Sequence, residues 1–367
     1  MSVVAKQLSL QVDGATWMYP FDLSLEPGSF TTVIGPAGAG KTSLLRMLAG
    51  LAKPDSGQLL VDGRDVTGVD VRRRNVGMVY QEFVNYPGQT VFGNIAAPLR
   101  NERMDEAAIS RRVQHVAELV GIEGYLDRFP LELSGGQQQR LSIARTIAKP
   151  RDLVLLDEPL VNLDYKLREH LRGEFHRLFA NGKTVAVYAS SEPQEALLLD
   201  GDVIVLNMGR LLQHGDAQAV YHSPATQTVA RLINDPPLSI LSASLVEANT
   251  ALVWKVGDLV IGGEAKRRKP LRPGLYSLGL YPHHLTTAPA GTSGLPAQIE
   301  FVEVNGSNSF VYASHNGTAL AIKEKGVHGH AIGQHMTIAI NIAEALVFAV
   351  DGDLIASPAI ERNDADG

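Results

Sequence analysis

Residues Gly35-Pro36-Ala37-Gly38-Ala39-Gly40-Lys41-Thr42 match G-x-x-x-x-G-K-[ST], with an apolar run, Ser29–Ile34, before them and a helical pattern, Thr42–Leu51, after. Glycines let backbone N–H groups converge on an anion at a helix start. In that setting Lys41 reaches the β- and γ-phosphates of a nucleotide, the Thr42 hydroxyl suits Mg²⁺, and Ser43 completes the expected loop contacts. A glycine-rich turn with an incidental lysine is the plainer reading, and the strand–loop–helix context counts against it.

A second constellation is Leu153-Val154-Leu155-Leu156-Asp157-Glu158-Pro159, an apolar strand ending in two acids. Beside a phosphate loop, Asp157 falls at the Mg²⁺ shell and Glu158 is placed to polarise the attacking water as general base. Alone, two such acids are equally turn or cap residues. In a third, Ser134, Gly135, Gly136 and Gln137 open another helix, again with the chemistry of an anion cradle. Two such helix starts are redundant in a monomer; they work together when the second closes over a nucleotide held by another subunit.

Short β-rich runs (Ser29–Ile34, Gly77–Tyr80, Leu153–Leu156, Thr184–Ala189) alternate with helical stretches (Lys41–Leu51, Glu106–Val120). That alternation predicts an α/β domain with a largely parallel sheet over 1–235. After Asn234-Asp235-Pro236-Pro237 the texture changes to short β-like runs, among them Ala251–Val256, Gly274–Leu280 and Gln298–Val304. A second, all-β domain is expected over 236–367, with a loose tail at Glu361–Gly367.

The chain has 367 residues, 33 basic against 39 acidic, a net charge of −6 and no cysteine. No broad positive field invites nucleic acid, and disulfides, thiolate metal sites and a cysteine nucleophile are excluded. No run approaches the roughly 20 apolar residues of a membrane span, so membrane association is expected to come through other proteins. His214, His222, His283, His284, His315, His328, His330 and His335 fit no zinc spacing. Lys266-Arg267-Arg268-Lys269 and Arg72-Arg73-Arg74 read as solvated turns.

Leu133-Ser134-Gly135-Gly136-Gln137-Gln138-Gln139-Arg140 resembles the LSGGQ signature of ABC ATPases followed by Q-Q-R. The resemblance runs over most of the first domain. Gln81, in Val79-Tyr80-Gln81-Glu82-Phe83, looks like the Q-loop glutamine that in the family contacts Mg²⁺ and water, and Val161-Asn162-Leu163-Asp164 looks like the D-loop. It implies a P-loop NTPase of the ABC type with a helical subdomain over about 88–145. ATP and Mg²⁺ are the implied ligands, with Thr42, Gln81 and Asp157 on the metal. Phe83, Val84, Asn85, Tyr86 and Pro87 are candidates for contact with a membrane subunit.

The β-rich second domain resembles the OB-like accessory domain of importer ATPases of the maltose and glycerol-3-phosphate class. Leu278-Gly279-Leu280-Tyr281-Pro282-His283-His284-Leu285 looks like their G-[IV]-R-P-E-x-[LI] run, with Tyr281 replacing the arginine. The implied partners are a second ATP-binding subunit, two transmembrane permeases and, indirectly, a periplasmic or lipoprotein binding protein. The implied location is the cytoplasmic face of a bacterial inner membrane.

Two departures stand out. Ser191, in Tyr188-Ala189-Ser190-Ser191-Glu192-Pro193-Gln194-Glu195-Ala196, occupies the place of the family's switch histidine. Serine reaches less far and cannot become cationic, so slow turnover at the Lys41 site is expected. An asymmetric dimer with an unlike ATPase then makes sense, a homodimer being the alternative; the segments around Gln81 and Ser191 resemble ATPases attributed to bacterial glycerol uptake, which pair two unlike ATPases. The adenine-stacking aromatic is Tyr19 or Trp17 in a compressed segment, and either can be a core or edge residue instead.

Overall fold

The structure, a computed structural model, describes residues 1–161, 163–180, 183–248, 251–263, 270–289 and 294–358. Asn162, the basic run 266–269 and the tail 361–367 lie outside the described residues. The chain divides into two compact units, Met1–Ala217 and Gln218–Gly367.

The first unit opens with β1 (Val3–Val12), β2 (Ala15–Leu25), β3 (Phe30–Ile34), α1 (Lys41–Ala49), β4 (Ser56–Val61) and β5 (Arg64–Asp65). Next come β6 (Val76–Val79), α2 (Val91–Arg100), α3 (Glu106–Leu119), α4 (Gly135–Ile147), β7 (Leu153–Asp157) and α5 (Tyr165–Ala180). β8 (Val185–Ser190), α6 (Glu195–Leu198), β9 (Asp202–Asn207) and β10 (Arg210–Asp216) complete it.

A six-stranded sheet has the order β10-β9-β3-β8-β7-β6, with β9, β3, β8, β7 and β6 mutually parallel. Every residue of β3, β7 and β8 is buried, which is why they read as continuous apolar runs rather than alternating ones. A second sheet, β2-β1-β4-β5, is antiparallel. The sequence reading did not foresee it, although Asp13-Gly14, both at positive φ (51° and 79°), is the two-residue turn that joins β1 to β2.

Helices α2, α3 and α4 form the helical layer. Asp105 caps α3 by accepting from Ala108 N at 2.9 Å, and Ile95, Leu99, Val113, Val116, Leu141 and Ile147 share one core.

The boundary falls at the first residue of α7 (Ala217–His222), and α8 (Gln227–Leu232) follows in the second unit. The strands β11 (Ser239–Ala248), β12 (Ala251–Val256), β13 (Leu259–Gly263), β14 (Gly274–Leu280), β15 (Leu285–Ala288) and β16 (Leu295–Val304) follow. They continue with β17 (Asn308–His315), β18 (Thr318–Lys325), β19 (His335–Ile340), β20 (Leu346–Phe348) and β21 (Leu354–Ala356).

These form two sheets, β13-β12-β11-β14-β20-β21 and β15-β19-β16-β17-β18, around a shared apolar core in an OB-like, all-β arrangement. The unit starts before the proline-marked 234–237 segment because α8 belongs with it. Ala230 packs with Leu238, Tyr281, Leu346 and Phe348, and Leu354 N donates to Ala225 O at 3.0 Å. Tyr281, in the arginine position of the family run, stacks on Tyr221 at 4.6 Å and donates its hydroxyl to Tyr221 O.

Candidate functional site

The parallel strands place the site residues by register. Ile34 pairs with Ser190 and Asp157 with Ala189, so the loops leaving β3, β7 and β8 emerge side by side at the carboxyl edge of the sheet. Such an edge is where open α/β sheets bind ligands.

Gly35 to Gly40 fill the turn from β3 into α1. A Cβ at Gly35 would lie 2.3 Å from Leu206 O, and Gly40 sits at φ 106° with its would-be Cβ 2.5 Å from Met18 Sδ; these two positions therefore require glycine. Pro36, Ala37 and Gly38 are exposed while Ala39 is buried. Gly40 caps α1, and Thr42 and Ser43 in its first turn are half-buried. The loop is tied to the β9–β10 turn: Gly209 N donates to Ala39 O at 2.9 Å, and Tyr19 N donates to Gly209 O at 2.9 Å.

Lys41 is only 6% exposed. Its ammonium donates to Gly35 O (2.8 Å), Pro36 O (3.2 Å) and Ser191 Oγ (2.8 Å), and lies 3.3 Å from Glu158 Oε1. Ser191 Oγ in turn donates to Glu158 Oε1 at 2.5 Å. Three residues predicted separately from sequence thus meet in one polar chain.

Glu158 adopts φ 47°, a left-handed conformation that costs a non-glycine residue about 1–3 kcal/mol and clusters at functional sites. Its N–H donates to Ala189 O at 3.0 Å, which fixes the turn.

Asp157 is 2% exposed. Burial pushes its carboxyl above the ordinary range, the Thr42 hydrogen bond opposes that, and the Glu158 charge adds to it. A buried carboxylate next to a threonine hydroxyl is a donor set that suits a hard divalent cation. Gln81 lies two residues past β6 on the same sheet edge, with its side chain exposed.

The signature residues form a reciprocal capping box on α4. Ser134 Oγ accepts from Gln137 N (3.4 Å), and Gln137 Oε1 accepts from Ser134 N (2.8 Å). Ser134 and Gly135 are exposed, and Gly136 is half-buried. Within this chain they do not meet the Lys41 cluster through any bond described above. Asp164 caps α5, accepting from Leu167 N at 3.0 Å. Of the two aromatic candidates, Trp17 is 53% exposed. Tyr19 is half-buried, with the Arg210 guanidinium 3.5 Å from its ring centroid.

Gln139, Arg145, Arg168 and Arg172 have no role assigned by the sequence motifs, and Asn85, expected to meet a membrane subunit, also bonds within the chain. Gln139 is fully buried and its amide donates to Pro159 O (2.6 Å) and Glu158 O (3.3 Å), joining α4 to the turn that carries Glu158. Asn85 donates to Gln138 O at 2.9 Å, and Arg145 donates to Val84 O at 2.7 Å while covering the Tyr86 ring at 4.3 Å. On the other side, Arg168 reaches Glu192 (2.7 Å) and Arg172 reaches Glu195 (2.8 Å), linking α5 to the Ser191 segment. The third glutamine of Q-Q-Q and the acids following Ser191 were the available signals.

Fold and site together define a P-loop ATP-binding cassette. The profile of the ABC transporter family matches residues 19–161. The sn-glycerol-3-phosphate import ATP-binding protein UgpC of Chromohalobacter salexigens is 34% identical over 364 residues, covering 96% of this chain and 95% of that protein. A second relative, UgpC 3 of Agrobacterium fabrum, is 33% identical over 338 residues, covering 91% of this chain and 93% of its own length. Among solved structures, the dimeric post-hydrolysis state of the ATP-binding cassette MJ0796 bound to ADP and Pi superposes with a TM-score of 0.54 at 26% identity, covering 59% of this chain and 98% of that one. The chain belongs to the ATP-binding proteins of ABC transporters, and it is an ATPase of that family. Among the described residues no helix is long and apolar enough to cross a membrane.

Proposed function

We propose that the chain is the ATP-hydrolysing motor subunit of an importer for a small polyol or polyol phosphate, attached through two permeases to the cytoplasmic face of a bacterial membrane and fed by an external binding protein. The observation that carries the motor reading is the meeting of Lys41, Ser191 and Glu158 beside Asp157 and Thr42. Gly35 to Ser43 hold the triphosphate and Lys41 turns from the Gly35 and Pro36 carbonyls to its terminal phosphates. Glu158 orients and deprotonates the attacking water. Thr42, Asp157 and Gln81 would hold Mg²⁺, which when bound neutralises charge on the phosphates.

The Ser134 to Gln137 edge, exposed at Ser134 and Gly135, serves the nucleotide of a facing subunit, with Asp164 at the shared boundary and Tyr19 or Trp17 on the base. Residues 88–145 are the moving helical part of the first unit. Tyr86 lines a groove of about 310 Å³ with Tyr80, Pro98 and Arg145, and the loop 83–87 there receives the membrane subunit. Because Asn85 and Arg145 bond that loop to α4, permease movement and signature movement are one motion.

The relatives named for sn-glycerol-3-phosphate support a polyol phosphate. Glycerol itself is the competing cargo. Deleting the gene and measuring uptake of labelled glycerol and labelled glycerol 3-phosphate decides between them, and unchanged uptake of both removes the polyol reading. Ser191 favours a second element of the proposal, an unlike ATPase partner that carries a histidine at the corresponding position. A purified chain that hydrolyses ATP alone at the rate of a two-histidine family member would establish the homodimer instead.

A further inference from the structure

We infer that Ser191 is a positioning residue for Glu158 and not a ligand of the nucleotide; the inference rests on the reading of Glu158 as the general base of an ATPase. Its ground is a count of protons. A serine hydroxyl carries one proton and two lone pairs, whereas a lysine ammonium carries only protons. Lys41 Nζ, 2.8 Å from Ser191 Oγ, can only donate to it. The single Ser191 proton is therefore left for Glu158 Oε1 at 2.5 Å, a separation typical of a hydroxyl donating to a carboxylate.

A residue that spends its one proton on the base has none to give to a terminal phosphate. A histidine in its place presents a longer side chain with two ring nitrogens, so the substitution changes which group the position acts upon.

The backbone makes the commitment durable. Ser190 is 3% exposed and its hydroxyl accepts from Glu192 N at 2.9 Å, which holds the turn at the end of β8. Glu158 is bound to the same strand end through Ala189 O. When Lys41 leaves for the phosphates, Ser191 loses a donor and keeps its acceptor. The carboxylate is then still aimed by the serine after its cation has moved away.

The test is single-turnover ATP hydrolysis together with equilibrium ATP and ADP binding on the chain assembled into its transporter, with the phosphate-loop lysine of any unlike ATPase partner replaced by alanine so that only the Lys41 site reports. Ser191→Ala is expected to slow hydrolysis about tenfold while leaving both dissociation constants within about twofold, the scale of one hydrogen bond to a charged group. Ser191→Thr, which keeps the hydroxyl, is expected to recover the rate, and Ser191→Ala should cause no further loss in a Glu158→Gln background. A tenfold loss of ATP affinity with ADP affinity unchanged would place the serine on the terminal phosphate and overturn the inference. Multiplicative losses in the double variant would overturn it too, as would an assembled wild type that binds ATP but hydrolyses no faster than Lys41→Ala. Failure of the wild type to bind ATP at all would remove the ATPase reading along with it.

Discussion

At the scale of single residues, the bonding of the candidate site depends on strand register. Lys41, Glu158 and Ser191 are far apart in sequence, and only the register of β3 against β8 and β7 brings their side chains within bonding distance. The glycines illustrate how specific the requirement is. A methyl group at Gly35 meets a backbone carbonyl at 2.3 Å, which cannot swing aside as a side chain would. Gly35→Ala should therefore cost about 1–3 kcal/mol, seen as a lower midpoint in urea, and weaken ATP binding with it. His284 supports a separate prediction. It is 9% exposed, its Nδ1 has no hydrogen-bond partner among the described residues, and burial, helped by His283 and His222, holds its pKa down to about 4 against an ordinary 6.5. Between those values the unfolded chain binds more protons than the folded one, so stability is full above pH 6.5 and is lost as the pH falls towards 4. Thermal unfolding followed across that interval should show a slope that His284→Gln flattens; sequence could not foretell this, since exposed loop histidines look the same.

At the scale of elements, the sequence marks β3, β7 and β8 by unbroken apolar runs and α1 and α3 by helical pattern, but it does not mark β1 and β2. Those strands carry Gln7, Gln11 and Thr16 among their apolar residues, and their alternation is interrupted by register shifts at Ala5/Leu8, Leu8/Leu10 and Leu10/Gln11. A bulged hairpin loses the period-two signal by which strands are recognised. What joins elements was equally hidden. Arg172 on α5 is 9% exposed and pairs with Glu195, itself 3% exposed, at 2.8 Å. Removing one partner strands a buried charge, whereas removing both does not. Arg172→Met should destabilise by about 3–5 kcal/mol in urea unfolding, and Arg172→Met with Glu195→Met should recover most of that loss. If the double variant is as unstable as the sum of the two singles, the pair does not act as a unit. Because the same helix begins at Asp164 and ends its ion pairs at the Ser191 segment, the single variant should also lower ATP turnover.

At the scale of the whole molecule, the change of texture near Pro236 pointed to a second, β-rich domain starting at 236, whereas the second compact unit starts at Gln218. The short helices α7 and α8 look, by composition, like a continuation of the α/β unit. Val229 and Ala230 are instead fully buried, and Ala230 joins Leu238, Tyr281 and Phe348 in a smaller apolar cluster of the second unit. The first unit keeps two cores of its own, one under the helical layer around Leu141 and Phe175 and one between the two sheets around Leu44 and Leu155. Every residue assigned above to nucleotide chemistry, from Trp17 to Ser191, lies in that unit. Cooperative folding needs a closed core rather than a full chain, so a protein ending after Ala217 should unfold in one transition and bind ATP within about threefold of the full-length affinity. A cut at Val203 instead removes β9, which pairs directly with β3, and with it Leu206, whose carbonyl backs Gly35. That shorter chain should neither melt cooperatively nor bind nucleotide. If the protein ending at Ala217 likewise fails to bind ATP while remaining folded by circular dichroism, the second unit contributes to the nucleotide site, and the division of labour between the two units is wrong.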